Sequence, residues 1–274
     1  MTQQTIAFIG TGNMAGAILE GLIASGYPTD KLWATRRNVT FLDHFEQRGV
    51  HVTDDNDAAI EASDIVVISV KPQMMQDTLT HLAPALQRKK PLLISVAAGI
   101  NCAALERWAG GDVAVVRSMP NTPSLVARGA AGLFANPLVT PQQRESATAI
   151  ADAVGISIWC DEEEDIDRVI AVSGSGPAYY FLMMENMIKA AIELGMTPDA
   201  ARQLTLQTAL GAAEMAIDTG IDPAQLRRNV TSPGGTTEQA IKSFKADQLD
   251  KVVLRAMSAC KNRAAELTQL LDKD

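Results

Sequence analysis

Thr5-Ile6-Ala7-Phe8-Ile9-Gly10-Thr11-Gly12-Asn13-Met14-Ala15-Gly16 is the stretch on which the fold turns. A short β-type run enters a glycine turn without a gap, and Ala17-Ile18-Leu19-Glu20-Gly21-Leu22-Ile23 follows with helical spacing. Strand, glycine turn and helix form the context in which G-x-G-x-x-A reads as a dinucleotide fingerprint. Gly10 allows the tight turn, Gly12 lets a pyrophosphate reach the backbone, and Ala15 keeps the helix close to the strand. Thr11, Asn13 and Met14 complete the loop expected to hold the cofactor phosphates.

Further strands follow. Lys31-Leu32-Trp33-Ala34-Thr35 ends where a NAD site carries an acid for the ribose 2′-hydroxyl, but here Arg36-Arg37-Asn38 stands instead. Two guanidiniums and the Thr35 hydroxyl suit a 2′-phosphate through forked, charge-assisted bonds, so NADPH is expected ahead of NADH. His51-Val52-Thr53 is a short strand with Asn56 just beyond it. Ile65–Val70 and Leu92–Val96 are nearly all apolar, as strands buried on both faces of a parallel sheet should be. They end in Val70-Lys71-Pro72 and Ala97-Ala98-Gly99, and Val113–Arg117 leads to Met119-Pro120-Asn121-Thr122-Pro123. These three strand ends should line the cofactor crevice, with Asn121 and Thr122 held stiffly between two prolines. Strands separated by helices predict a doubly wound sheet with right-handed crossovers. A last unit runs from Leu133-Phe134-Ala135 through a helix near Thr140 to Gly155–Trp159.

Composition narrows the function. A net charge of −8 disfavours nucleic acid and anionic membranes as partners. No run is long and apolar enough to cross a bilayer, and the first residues lack the basic start of a signal peptide. Cys102, Cys160 and Cys260 are odd in number and widely spaced, which fits a reducing cytoplasm and gives no metal spacing. The acidic run Asp161–Asp165 is expected as a solvated boundary favouring the start of the next helix. No metal is expected.

Beyond about residue 163 strand signals disappear, and helices broken by Gly195, Thr197-Pro198, Gly220 and Asp222-Pro223 take over. Pro177, inside Ser173-Gly174-Ser175-Gly176-Pro177, should kink or restart the helix there. The following Ala178–Met184 and Met187-Ile188 are apolar nearly all round. About a hundred helical residues cannot enclose such a helix alone, so an intertwined dimer is expected. The expected architecture is α/β: a Rossmann-type doubly wound sheet over 1–163 and an all-α substrate-binding and dimerisation domain over 164–274.

Within that second part lies Val230-Thr231-Ser232-Pro233-Gly234-Gly235-Thr236-Thr237-Glu238-Gln239. Two adjacent glycines leave amides uncovered, and Thr236 with Gln239 three residues on reads as a capping box opening a helix. A glycine turn feeding a helix N-terminus gathers donors for a small anion such as a carboxylate or phosphate. Together with Val70-Lys71-Pro72, Ala97-Ala98-Gly99, Met119–Pro123 and Ser173–Tyr179, the segment Asp222–Ile241 resembles the pyrroline-5-carboxylate reductase family, and the resemblance runs the length of the chain. Its one mild departure is Ala15 where a third glycine could stand.

The resemblance implies reduction of 1-pyrroline-5-carboxylate to L-proline with NAD(P)H. It also implies that amides of Ser232–Thr237, among them Gly234, Gly235 and Thr236, bind the substrate carboxylate together with Ser232. Thr237 would hydrogen-bond the ring nitrogen, and Asn56 would touch the adenosine end of the cofactor. Family members assemble as dimers that can group into decamers. His44, His51 and His81 all lie far from this loop in sequence, so no dedicated general acid is expected; positioning an imine for hydride transfer supplies most of the rate. A 3-hydroxyacid dehydrogenase is a rival, but its catalytic lysine has no counterpart around Tyr179–Met183. A non-catalytic NADP-binding sensor is the other, against which the Ser-Pro-Gly-Gly-Thr-Thr loop argues.

Overall fold

A computed structural model describes residues 4–271. It divides into two units, one comprising Met1–Ser175 with Cys260–Asp274, the other Gly176–Ala259.

The first unit is built on eight strands: β1 (Ile6–Ile9), β2 (Leu32–Thr35), β3 (His51–Thr53), β4 (Ile65–Ile68), β5 (Leu92–Ser95), β6 (Val115–Met119), β7 (Gly129–Ala135) and β8 (Gly155–Trp159). Their order in the sheet is β3-β2-β1-β4-β5-β6-β7-β8. Helices α1 (Asn13–Ala24), α2 (Asp43–Glu46), α3 (Asn56–Glu61), α4 (Met75–Lys89), α5 (Cys102–Trp108) and α6 (Pro141–Asp152) fall between strands. The apolar strands are explained by two cores. Ile6, Phe8, Val67 and Ile94 face one core with α1 and α6, while Ala7, Ile9, Val66 and Leu93 face the other with α3, α4 and α5. Strand order reverses between β1 and β4, and ligands of open α/β sheets lie outside the carboxyl ends at such a point.

Two departures from expectation have local causes. β7 runs antiparallel to β6, so the sheet is mixed rather than wholly parallel. Only Pro120–Arg128 joins them, folded mostly as a 3₁₀ turn over Thr122–Val126, and a parallel return needs a crossover of a dozen residues or more. The acidic run also does more than sit in water. Glu163 accepts hydrogen bonds from the Cys102 backbone N–H at 2.7 Å and from the buried Arg117 at 3.2 Å. It thereby neutralises a guanidinium that only 2% exposure would otherwise leave stranded. Burial pushes the neighbouring Cys102 thiol far up, leaving it a packing group.

Past α7 (Asp165–Val169) the chain widens into a π-helical turn over Ile170–Gly174, closed by Ser175 N–H donating to Ile170 O at 2.8 Å. α8 (Gly176–Glu193) then starts afresh, with Pro177 in its first turn where a missing N–H costs nothing. The expected restart occurs. α9 (Pro198–Thr219), α10 (Pro223–Asn229) and α11 (Thr236–Ala246) follow, and Thr197 and Asp222 cap the first two through their side chains. α12 (Leu249–Leu271) crosses the boundary between the units at Cys260. Its later part packs Ala264 into a small core with Cys160, Ile166, Val169 and Ile170.

α8 is apolar, yet within one chain it is not enclosed. Phe181, Leu182, Met183 and Met187 are 43–63% exposed, and Leu204, Leu210, Met215 and Leu254 add to the apolar surface of the helical unit.

Candidate active site

The glycine turn is shaped by its neighbours. Gly10 has φ +80°, and a Cβ there would meet Val70 Cγ1 at 2.7 Å, so packing and backbone both require glycine. Gly12 is the N-cap of α1, with no side chain capping the helix and no acid in its first turn. A Cβ on Gly12 would find only Gly10 O at 3.9 Å. Among the described residues nothing else comes within 4 Å of it. That space opens over the first amides of α1, at Asn13 and Met14, which have no partner within the helix. Bare N–H groups, a dipole of the right sign and room for close approach are what a pyrophosphate needs.

A cleft of about 560 Å³ runs from this turn. It joins Gly10, Thr11 and Gly12 to Thr35, Arg36 and Arg37 after β2, to Asn56 at the start of α3, and to Val70 and Lys71 after β4. The expected residues at these strand ends therefore meet in one place. Two of them are used internally. Thr35 is 1% exposed, and its hydroxyl accepts from Gly10 N–H at 3.3 Å and donates to Asn56 Oδ1 at 2.6 Å. Thr35 and Asn56 thus brace the turn, and Arg36 and Arg37 bring two guanidiniums to the same cleft. Arg36 lies over the Phe41 ring at 4.4 Å, which holds the guanidinium in place by cation–π attraction.

Other expected residues are placed differently. Asn121 is buried and its amide is engaged at both ends, Nδ2 donating to Ser173 O at 2.9 Å and Oδ1 accepting from Ala130 N–H at 2.9 Å. It ties β7 to the π-helical turn, while Thr122 is exposed in the loop beside it. Ala97 and Gly99 are buried, and Gly99 sits against Leu271 of α12; Ala98 is exposed, and Pro72 opens a 3₁₀ turn. None of Pro72, Ala97, Ala98, Gly99, Asn121 and Thr122 lines the 560 Å³ cleft. Four polar lining residues were not anticipated as site residues. Asn38, Asp54, Ser69 and Thr78 also face the cleft, and of these Asp54 and Ser69 carry the signal that would have found them: each directly follows a strand.

In the second unit, Ser232-Pro233-Gly234-Gly235 is a tight turn closed by Gly235 N–H donating to Ser232 O at 3.0 Å. Gly234 at its third position has φ +73°, the conformation a Pro-Gly turn of type II demands. α11 follows directly, but the expected capping box is not formed. Gly235 is the N-cap and Thr236 the first helical residue, so the threonine lies one place too late to cap. Glu238 turns back instead and accepts from Gly234 N–H at 3.0 Å, while Lys242 lies 3.1 Å from the same oxygen. Gly234 N–H and then Lys242 hold the Glu238 carboxyl below its ordinary range. Thr237 is half-buried in the first turn of the helix, and Ser232 is exposed at the start of the preceding turn.

Among the described residues no cluster of acids, histidines and cysteines could hold a metal ion, and no helix is long and apolar enough to cross a membrane.

A doubly wound sheet with an uncapped glycine turn at the start of its first helix, followed in the chain by a helical unit, has the architecture of the nicotinamide-dependent oxidoreductases. Comparison with known proteins narrows the class. Residues 163–267 match the model for pyrroline-5-carboxylate reductase dimerisation, and residues 5–99 that for NADP oxidoreductase coenzyme F420-dependent. The pyrroline-5-carboxylate reductase of Pseudomonas aeruginosa is 48% identical over 99% of both chains. The structure of the Coxiella burnetii enzyme superposes with a TM-score of 0.94 at 46% identity, covering 97% of this chain and 99% of that one. The Plasmodium falciparum enzyme, solved with NADP bound, gives 0.83 at 29% identity over 98% and 99%. The chain belongs to the pyrroline-5-carboxylate reductase family, NAD(P)H-dependent oxidoreductases that act on a C=N bond.

Proposed function

We propose that the protein reduces 1-pyrroline-5-carboxylate to L-proline with NADPH as the preferred reductant. The observation that carries the cofactor choice is the pair Arg36 and Arg37 lining the cleft at the end of β2, where a site for NADH would place a carboxylate. When bound, NADPH supplies the hydride. The residues of the chain bind and orient. The α1 amides at Asn13 and Met14 take the pyrophosphate; Arg36 and Arg37 take the 2′-phosphate; Thr35 and Asn56 hold the turn in shape, with Asn56 at the adenosine end. Lys71 stands at the cleft's other wall, and Pro72, Ala97–Gly99, Asn121 and Thr122 support the strand ends around it.

On the same reading, the Ser232–Thr237 loop takes the substrate carboxylate through Ser232 and through amides of Gly234, Gly235 and Thr236, and the Thr237 hydroxyl accepts from the ring N–H of the iminium. Adding hydride to an iminium removes charge, so the site needs orientation rather than an oxyanion hole or a strong acid. The division of labour follows the chain, with 1–163 serving the cofactor and 164–274 serving substrate and dimerisation in a cytoplasmic homodimer. Asp54 favours a second reading in which NADH is also used, because its carboxylate lines the same cleft and opposes a phosphate.

Steady-state oxidation of NADPH and of NADH with 1-pyrroline-5-carboxylate tests both readings. A higher kcat/KM with NADPH supports the first, and no imine-dependent oxidation of either cofactor removes the proposal. Thr237→Ala should lower kcat/KM for the imine by roughly tenfold, the scale of one lost hydrogen bond to a charged group, with the KM for NADPH unchanged.

A further inference from the structure

The loop assigned to the substrate carboxylate already holds a carboxylate of its own. Gly234 N–H donates to Glu238 Oε2 at 3.0 Å, and that oxygen lies 3.1 Å from Lys242 Nζ. The other glycine amide, Gly235 N–H, closes the turn onto Ser232 O. Of the two glycine donors, then, one maintains the turn and the other is occupied by an internal anion. Nothing in the local fold demands this contact. The turn is closed by its own backbone bond, Gly234 already has the positive φ that the turn needs, and α11 starts from an extended Gly235 with no side-chain cap.

We propose that Glu238 is a positioning residue that competes with the ligand's carboxylate for Gly234 N–H and gives way as substrate binds. The inference rests on the loop reading given above. Two like charges cannot share one N–H, and a ligand carboxylate brought near an occupied donor meets repulsion as well as a missing bond. Glu238 has somewhere to go. Lys242, one helical turn along α11 and exposed, retains the carboxylate when the glycine amide is released. The empty loop is thereby kept in its binding shape with its donor satisfied, and affinity for the substrate is set below what the bare loop would give.

The test is steady-state kinetics of the full chain with 1-pyrroline-5-carboxylate for Glu238→Ala, Glu238→Gln and Ser232→Ala. Removing the competitor in Glu238→Ala should lower the KM for the imine roughly three- to tenfold with kcat and the cofactor KM unchanged, on the scale of one charge-assisted hydrogen bond. Glu238→Gln, which retains an acceptor but no charge, should fall between wild type and Glu238→Ala. Ser232→Ala should raise the KM. A KM raised by Glu238→Ala and restored by Glu238→Gln would make Glu238 a scaffold for the loop and overturn the proposal, as would an unmoved KM beside a raised one for Ser232→Ala. If Ser232→Ala and Glu238→Ala both leave the KM unmoved, the loop is not the carboxylate site, and the broader reading fails with the proposal.

Discussion

Arg36 shows how one side chain is prepared before any ligand arrives. It follows β2, lies over the Phe41 ring at 4.4 Å, and reaches back to Thr11 O at 3.5 Å on the glycine turn. A guanidinium held in this way loses less freedom on meeting a phosphate than a free surface arginine would. Arg36→Ala should raise the KM for NADPH about tenfold or more and that for NADH much less, because only the former carries the 2′-phosphate. Equal effects on the two cofactors would sink the 2′-phosphate assignment. The arginine was legible in the sequence because it sits where a strand ends and an acid is missing. Glu163 and Glu238 were not. Each acts on a partner chosen by the fold, and a carboxylate in a polar stretch looks like a solvated one until its partner is known.

Among elements, the β1–α1 turn was the most readable, since its residues are fixed by backbone geometry over a short span. Gly10→Ala should destabilise the protein by roughly 2–4 kcal/mol, combining left-handed strain with an overpacked contact at Val70. Urea unfolding measures this, and a wild-type midpoint would show that β1 and β4 can part without cost. Gly12→Ala makes the contrast, for the structure gives its Cβ no clash. The capping box at Thr236 was misread for an instructive reason. Thr-x-x-Gln fits the motif, but the preceding Pro-Gly-Gly turn ends one residue earlier than the motif needs, and Gly235 takes the cap. Where the motif is not preceded by such a turn, as at Thr140-Pro141-Gln142-Gln143, the full box forms and opens α6. The reversal of β7 was hidden in the same way: strand direction depends on the length and shape of the connection, which a run of apolar residues does not record.

For the molecule as a whole, the apolar helix α8 was visible in the sequence as one that needs cover, and a single chain leaves it half exposed. Burying a large aliphatic or aromatic side chain is worth roughly 1.5–3 kcal/mol when complete, so the exposed residues of α8, α9 and α12 together hold ample driving force for association. Size-exclusion chromatography with light scattering should find no stable monomer at micromolar concentration, and a well-folded monomer would refute the dimer. What the sequence concealed was the division of the chain. The break in strand signals near residue 163 lies close to the end of the sheet, but Cys260 onward returns to the first unit, where Ala264 completes a core with Ile166 and Val169. That return puts the clock of protein synthesis into the architecture. The ribosome delivers the sheet early, then more than eighty residues of helices, and only afterwards the segment that closes the sheet unit's last apolar patch. A nascent chain therefore carries an unsealed sheet unit until Cys260 and the residues after it have been made, and that unit is completed after the helices that interrupt it.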